Sequence, residues 1–537
     1  MLAILLLLAS APPSSDSTQL VAAIRKAPAP LRVALMRGYR AREWQPIWSI
    51  ADQPSPAARR LVRELGQAAD RGLDPQQFDA PRLHGLLNAW DTTASARANF
   101  DAALSVAVLR YARALDRGVV DPVAIHPTLA LKRAAFDDAA VLTALGAGDP
   151  VAVLRGLEPP FYQYQRLLAV LQGFRVMLPD TALTRLPAWS RVVHADSLLP
   201  GAPALRRLLT MLGDLPWGSS APDVATDTVY DASLQSAVTR FQRRHGLTPD
   251  GVLGPATRRA LERSTASRIR QIELTLERWR WLPREQSAAP IIVNIPAFRL
   301  DALRALPELE AETLSMDVVV GTAVTHGTPL LAARLRQVVF QPWWNLPRSI
   351  AVEEIRPKAL LDSSFLAREG YELRRDRKPI AVTPGAIDSI GLDVWVHQRP
   401  GPLNALGRVK FLMPNGEDIY LHDTPSQTLF SRLRRDFSHG CIRVADPGAL
   451  AAFVLRSLPD WNPDRVAEVM GDTVTVAVTL PEPVPVFLVY HSVEVRENGE
   501  AWFHPDVYGH DALLAEEIRR PGSGRRDVGG GKVKGER

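Results

Sequence analysis

The residues best able to do chemistry lie close together in the second half of the chain. Cys441 is the single cysteine among 537 residues and closes the run Ser438-His439-Gly440-Cys441, while His422 stands upstream with 15 residues between it and Ser438. One thiol excludes an internal disulfide framework and a thiolate-rich zinc site, since both need several cysteines. It leaves a small buried hydrophobe, an incidental surface thiol or a nucleophile. A thiol of unperturbed pKa about 8.5 is only a few per cent thiolate at neutral pH, so a nucleophilic cysteine needs a base or a cation beside it. His422 ends one apparent strand and Cys441 begins another; if the two lie side by side, the imidazole meets the thiol. Gly440 has no Cβ and lets backbone approach closely, so the N–H groups of Gly440 and Cys441, with His439, are candidates to face a developing oxyanion. Asp423 follows the base, and its side chain or a nearby backbone carbonyl would hold the imidazole tautomer, as the third member of a triad does. A metal reading of His422, His439 and Cys441 lacks a fourth ligand, so no metal or other cofactor is expected.

Strands must hold these residues. Apolar alternation bounded by Gly, Pro and Asn recurs at 291–295, 316–320, 335–340, 394–396, 409–413 and 419–421, which predicts a mostly β domain over residues 288–513. Within it, residues 355–391 are polar, carry Arg374, Arg375, Arg377 and Lys378, and turn near Pro384. Upstream, residues 20–216 read as helical: Leu104, Val108, Tyr111 and Leu115 make one apolar stripe that ends near Gly118. A linker is marked by Pro216, Gly218, Ser219, Ser220 and Pro222, and a later helix carries Ile269, Ile272, Leu276 and Trp279 before stopping at Pro283. At roughly 100–200 residues per domain, the length predicts three or four domains.

Composition is 46% hydrophobic and 23% charged, with 34 Gly and 44 Pro, which excludes global disorder, a collagen-like chain and a polytopic membrane protein. Lys plus Arg number 64 against 58 Asp plus Glu, a net +6 that favours anionic partners mildly. Without a helix-turn-helix, RNA-binding or zinc-finger signature, nucleic acid is not an expected partner. The apolar run from Met1 ends in Ala9-Ser10-Ala11, an A-x-A pattern with no Lys or Arg before it and Pro12 behind it. It is too short to span a membrane. The expectation is a signal sequence over residues 1–16 and a periplasmic protein, touching membrane only through an uncleaved signal. The Gly-rich basic tail at 521–537 is expected to be disordered.

Residues 226–264 contain Phe241-Gln242, His245-Gly246-Leu247, Asp250-Gly251, Gly254 and Thr257, with Leu234, Val238 and Phe241 on one helix face. This stretch resembles the three-helix peptidoglycan-binding module of bacterial wall enzymes. Most of the matching residues are core and turn residues rather than ligand contacts.

His422 followed by Ser438-His439-Gly440-Cys441 resembles the signature of the L,D-transpeptidases. The flanks Asn294-Ile295-Pro296, Trp344-Asn345-Leu346-Pro347, Gly407-Arg408-Val409-Lys410-Phe411 and Tyr420-Leu421-His422-Asp423 look like the large Gram-negative subfamily. The resemblance implies a multidomain α+β chain: a helical scaffold at 20–216, a binding module at 226–264, and a mostly β catalytic domain at 288–513 with a lid at 355–391. It implies that Cys441 attacks the third residue of a peptidoglycan tetrapeptide stem, releases D-Ala as a thioester forms, and passes the acyl group to the amine of a second stem, giving a 3→3 cross-link. His422 is then the base, Ser438, His439 and Gly440 shape the oxyanion hole and pocket, and Arg443, Tyr420 and Asp423 meet substrate. Arg443 stands where smaller members carry Asn and would pair with a substrate carboxylate. Trp343 and Trp344 are further cleft candidates. Partners are stem peptides, glycan strands and cell-wall synthesis enzymes. The alternatives are hydrolysis of the same thioester, as a carboxypeptidase or endopeptidase, and a catalytically silent wall-binding scaffold.

Overall fold

Alternating apolar residues in the second half of the chain close into a barrel. The computed structural model describes residues 15–129, 131, 135–177, 186, 192–216, 228–284, 289–303 and 313–520. The apolar run at 1–11, the linker residues 218–222 and the basic tail at 521–537 lie outside the described residues. Strands β1 (Ile291–Asn294), β2 (Arg299–Leu303), β3 (Thr313–Gly321), β4 (Leu331–Phe340), β5 (Val409–Leu412), β6 (Leu421–His422), β7 (Asp436–Ser438), β8 (Ile442–Val444) and β9 (Val476–Val489) form one sheet. Its order is β7-β3-β8-β6-β5-β4-β9-β1-β2, and a further pairing of β2 with β3 closes the ring.

The register around the thiol decides which side chains share a face. β6 and β8 run parallel with Leu421 beside Ile442 and His422 beside Arg443, while antiparallel β5 places Lys410 opposite His422 and Phe411 opposite Leu421. Side chains alternate across a strand. Val409, Phe411, Leu421 and Ile442 are 0% exposed in the barrel core, so their neighbours Lys410, Tyr420, His422, Cys441 and Arg443 turn to the other face.

The segment between β4 and β5 builds a second sheet from Trp344–Asn345, Trp395–Gln398, Tyr371–Arg375 and Lys378–Ile380, adjacent in that order. Consecutive helical turns Arg348–Ile350, Ala351–Ile355 and Arg356–Leu361 pack on it over a separate core that includes Leu346, Ile355, Leu373 and Val396. The inserted unit is therefore wider than 355–391. The strand expected at 394–396 joins this sheet rather than the barrel, because alternation reports a half-buried strand without saying which sheet it pairs with.

Upstream, α1 (Ala94–Arg117) starts at Thr93, whose hydroxyl accepts from the Ala96 N–H, and ends at Gly118. Its buried Asp101 accepts from the N–H groups of Ile47 and Trp48 at 3.0 and 2.8 Å and from the Tyr39 hydroxyl. Burial pushes that carboxyl up to about 6.

The helices α2 (Ala232–Arg244) and α3 (Pro255–Leu261) are joined through Gln242, which is 1% exposed. Its amide donates to the Asp250 carboxylate, the Val252 carbonyl and the Thr257 hydroxyl at 2.9 to 3.0 Å, and its oxygen accepts from the Gly251 N–H at 2.8 Å. Gly251 has φ +68, and a Cβ there would come within 2.7 Å of Gln235. The motif read from sequence is thus one satisfied turn.

Helix α4 (Thr265–Trp281) ties the parts together. Glu277 accepts from the N–H groups of Val119 and Val120 just beyond α1, Gln271 donates to the carbonyls of Ser492 and His504, and Arg278 pairs with Asp511.

Candidate active site

The His422 imidazole is oriented by the backbone. His422 is 5% exposed, and its Nδ1 donates to the Asp423 carbonyl, which leaves Nε2 as the acceptor. Burial, then the Arg443 cation and, less strongly, Lys410, hold the imidazole down to about 3 against the pull of that carbonyl. It is neutral at physiological pH and able to take a proton. The Asp423 carboxylate points elsewhere: it accepts from the N–H groups of Arg408 at 2.8 Å and Thr424 at 2.6 Å. Of the two orienting groups expected, the backbone carbonyl holds the ring, and the Asp423 side chain fixes the turn instead of lining an open cleft.

Cys441 immediately precedes β8 and lies level with Tyr420, whose carbonyl accepts from the Ile442 N–H at 3.1 Å. Burial pushes the thiol up; the backbone and hydroxyl of Tyr420 and the Lys410 ammonium oppose this, while Asp418 adds to it. The Tyr420 ring lies 5.7 Å from that of His422, its hydroxyl is near enough to Cys441 and Trp344 for both to act on it, and the Cys441 sulfur lies 3.8 Å from the Asp418 carbonyl. Arg443 is beside His422 in the register, and among the described residues it has no carboxylate within ion-pair distance. Its guanidinium is available to a substrate carboxylate.

The Ser438-His439-Gly440-Cys441 loop is wound tightly. The Ser438 hydroxyl donates to the Cys441 carbonyl at 2.6 Å and accepts from the Gly440 N–H at 3.2 Å, and Thr328 donates to the Gly440 carbonyl. This differs from the expected oxyanion donors: the serine side chain occupies the Gly440 N–H, whereas the N–H groups of His439 and Cys441 have no partner among the described residues. Gly440 has φ +111, a conformation side chains resist, so the residue's contribution is the shape of the turn. His439 faces the insertion, with Nε2 2.7 Å from Glu354 and its ring 4.9 Å from His326. Arg374 lies 4.8 Å over Trp343.

Three residues at this site were not singled out from sequence: Lys410, Glu354 and His326. Only Lys410 left a signal, as a charge between Val409 and Phe411 in an otherwise apolar strand. Among the described residues no group of His, Cys, Asp and Glu is arranged to hold a metal ion.

Comparison with known families matches three stretches of the chain, and the second begins at 202, within the 20–216 stretch read as scaffold, where Leu205 and Leu209 share a core with Leu234 and Phe241. A scaffold domain model matches residues 33–171, a "Putative peptidoglycan binding domain" matches 202–261, and an L,D-transpeptidase catalytic domain matches 289–476. A Haemophilus influenzae protein named "Putative L,D-transpeptidase" is 34% identical over 228 residues, which is 42% of this chain and 45% of that protein. The match thus spans less than half the length of the relative. Residues 289–476, which carry the thiol, the imidazole and all of the barrel strands except most of β9, match the L,D-transpeptidase catalytic domain, in a chain that also carries scaffold and peptidoglycan-binding matches.

Proposed function

We propose that the chain is an exported, periplasmic cysteine L,D-transpeptidase that forms 3→3 cross-links between peptidoglycan stems. The observation that carries this reading is the single thiol on the same strand face as a neutral imidazole whose Nδ1 proton is committed to a backbone carbonyl. In the proposed cycle Cys441 gives its proton to His422 Nε2 and the thiolate attacks the carbonyl of the third stem residue. The tetrahedral oxyanion lies against the His439 and Cys441 N–H groups. Collapse forms the thioester, and D-Ala leaves with the proton held by His422. The side-chain amine of a second stem then attacks the thioester, loses its proton to His422, and the thiolate departs. Arg443 pairs with a stem carboxylate, and the 344–398 unit, which reaches the site through Trp344 and Glu354, closes over it as a lid.

The test is incubation with tetrapeptide-rich muropeptides followed by mass spectrometry. A cross-linked dimer lacking one D-Ala is expected from the native protein and not from Cys441→Ala. Equal dimer from both proteins would sink the proposal. Tripeptide without dimer would assign the same thioester to hydrolysis.

A further inference from the structure

The thiol pocket holds a cation outside the Ser-His-Gly-Cys run. Lys410 sits opposite His422 in the β5–β6 register, on the strand face turned away from the barrel core. Its Nζ lies 3.7 Å from the centroid of the Tyr420 ring, and Tyr420 is level with Cys441. Among the described residues no carboxylate lies within ion-pair distance of this half-buried amine. A buried ammonium is costly unless something anionic shares its surroundings; a ring face compensates only in part, and Asp418 acts on this ammonium from beyond ion-pair distance, less strongly than the thiol does.

We propose that Lys410 is the countercharge of the Cys441 thiolate, held in place by the Tyr420 ring, so that His422 only moves the proton. The proposal rests on the reading of Cys441 as nucleophile. The groups that act on the thiol are Lys410 from β5, Asp418 from the turn before β6, Tyr420 from β6 and Arg443 from β8, and His422 of β6 lies on the same sheet face. His439, bound to Glu354 and near His326, belongs to the same loop as the thiol. Asp418 is the anion of this set and works against the thiolate; Arg443 lies beside the imidazole and acts on both it and the thiol. Lys410 is the cation that acts more strongly on the sulfur, and the thiol acts in turn to retain the proton on Lys410 and Arg443. When Cys441 gives its proton to His422 Nε2, the sulfur becomes an anion beside Lys410, whereas the imidazolium sits against both Lys410 and Arg443. The same cations that hold the thiolate therefore press the imidazolium to hand its proton on to the departing amine.

The experiment is the rate of alkylation by iodoacetamide against pH, read by intact mass, for the full chain and for Lys410→Met, Lys410→Gln and Lys410→Arg. With one cysteine in the chain the mass increment reports Cys441 alone. Loss of the charge is expected to move the midpoint of the profile up by about one pH unit and slow alkylation at pH 7 about tenfold, with Lys410→Arg close to the native protein. Two neutral replacements of different polarity are included so that failure of one to fold leaves the other to decide. Superposition of the neutral variants on the native profile, or Lys410→Arg behaving as they do, overturns the proposal. No peptidoglycan is involved in this readout, so a shifted profile in a protein that processes no muropeptide would retain this inference while removing the transpeptidase assignment.

Discussion

Glu354 of the inserted unit lies 2.7 Å from Nε2 of His439, two residues before the thiol, so the insertion is tied directly to the loop that carries Cys441. Both side chains are 42% exposed, and a pair so open to water is worth at most about 1 kcal/mol. A contact of that size can hold the insertion against the loop and still let it part.

Glu354→Gln should therefore leave the thermal midpoint of the chain nearly unchanged while loosening the insertion. The expected result is faster hydrogen exchange in residues 348–361 with unchanged exchange in β6 and β8. Equal acceleration in the barrel strands would show that the pair supports the fold rather than the lid.

His422→Ala removes the proton acceptor but not the thiol. Acylation of Cys441 by a carbapenem, followed by intact mass, is expected to slow about 10²- to 10⁴-fold. A rate within threefold of the native protein, an order-of-magnitude threshold set by general-base contributions, would reassign the base.

Stability should fall on mild acidification. Burial holds His126, His422 and His491 down to about 3 and His510 to about 4, against an ordinary 6.5. Each therefore binds fewer protons folded than unfolded, so its contribution is fully present above about 6.5 and is lost as pH falls toward the folded value. The loss approaches about 1.4 kcal/mol per pH unit per group. Asp101, raised from 3.8 to about 6, acts oppositely: its folded form binds more protons in that window, and stability falls as pH rises through it. His245 and His397 are held down as well, while Asp214, Glu273, Asp301 and Asp423 are pushed up by burial. The imidazoles dominate because their ordinary value lies between pH 7 and pH 5, where the ordinary carboxyl value does not. The thermal midpoint is expected to drop from pH 7 to pH 5, and a rising midpoint would contradict the burial of these rings.

Gln242→Leu keeps the volume of the side chain but leaves Asp250, Gly251 and Thr257 without their common partner. A loss of about 2–3 kcal/mol is expected locally, seen as earlier proteolysis within residues 232–261 and weaker cosedimentation with purified sacculi. Unchanged proteolysis would mean that the turn is held by its glycine alone.

Much of the site could be read from order along the chain, because His422, Ser438, His439, Gly440 and Cys441 fall within one short stretch whose spacing implies two adjacent strands. The binding turn was equally visible, since every partner of Gln242 lies within 15 residues of it. What escaped depends on long-range register. Lys410 comes opposite His422 and over the Tyr420 ring only through the β5–β6 pairing, and Glu354 meets His439 only through the packing of an inserted unit whose own sheet draws strands from residues 344 to 398. The serine hydroxyl that takes the Gly440 N–H is a matter of rotamer and turn geometry, which residue types do not specify.

The alternation along β5, β6 and β8 has an evolutionary consequence. Val409, Phe411, Leu421 and Ile442 hold the barrel, and the residues interleaved with them hold the reagents. Parity along each strand therefore separates two kinds of selection, and substitutions at the outward positions can change the site while the scaffold's inheritance stays intact.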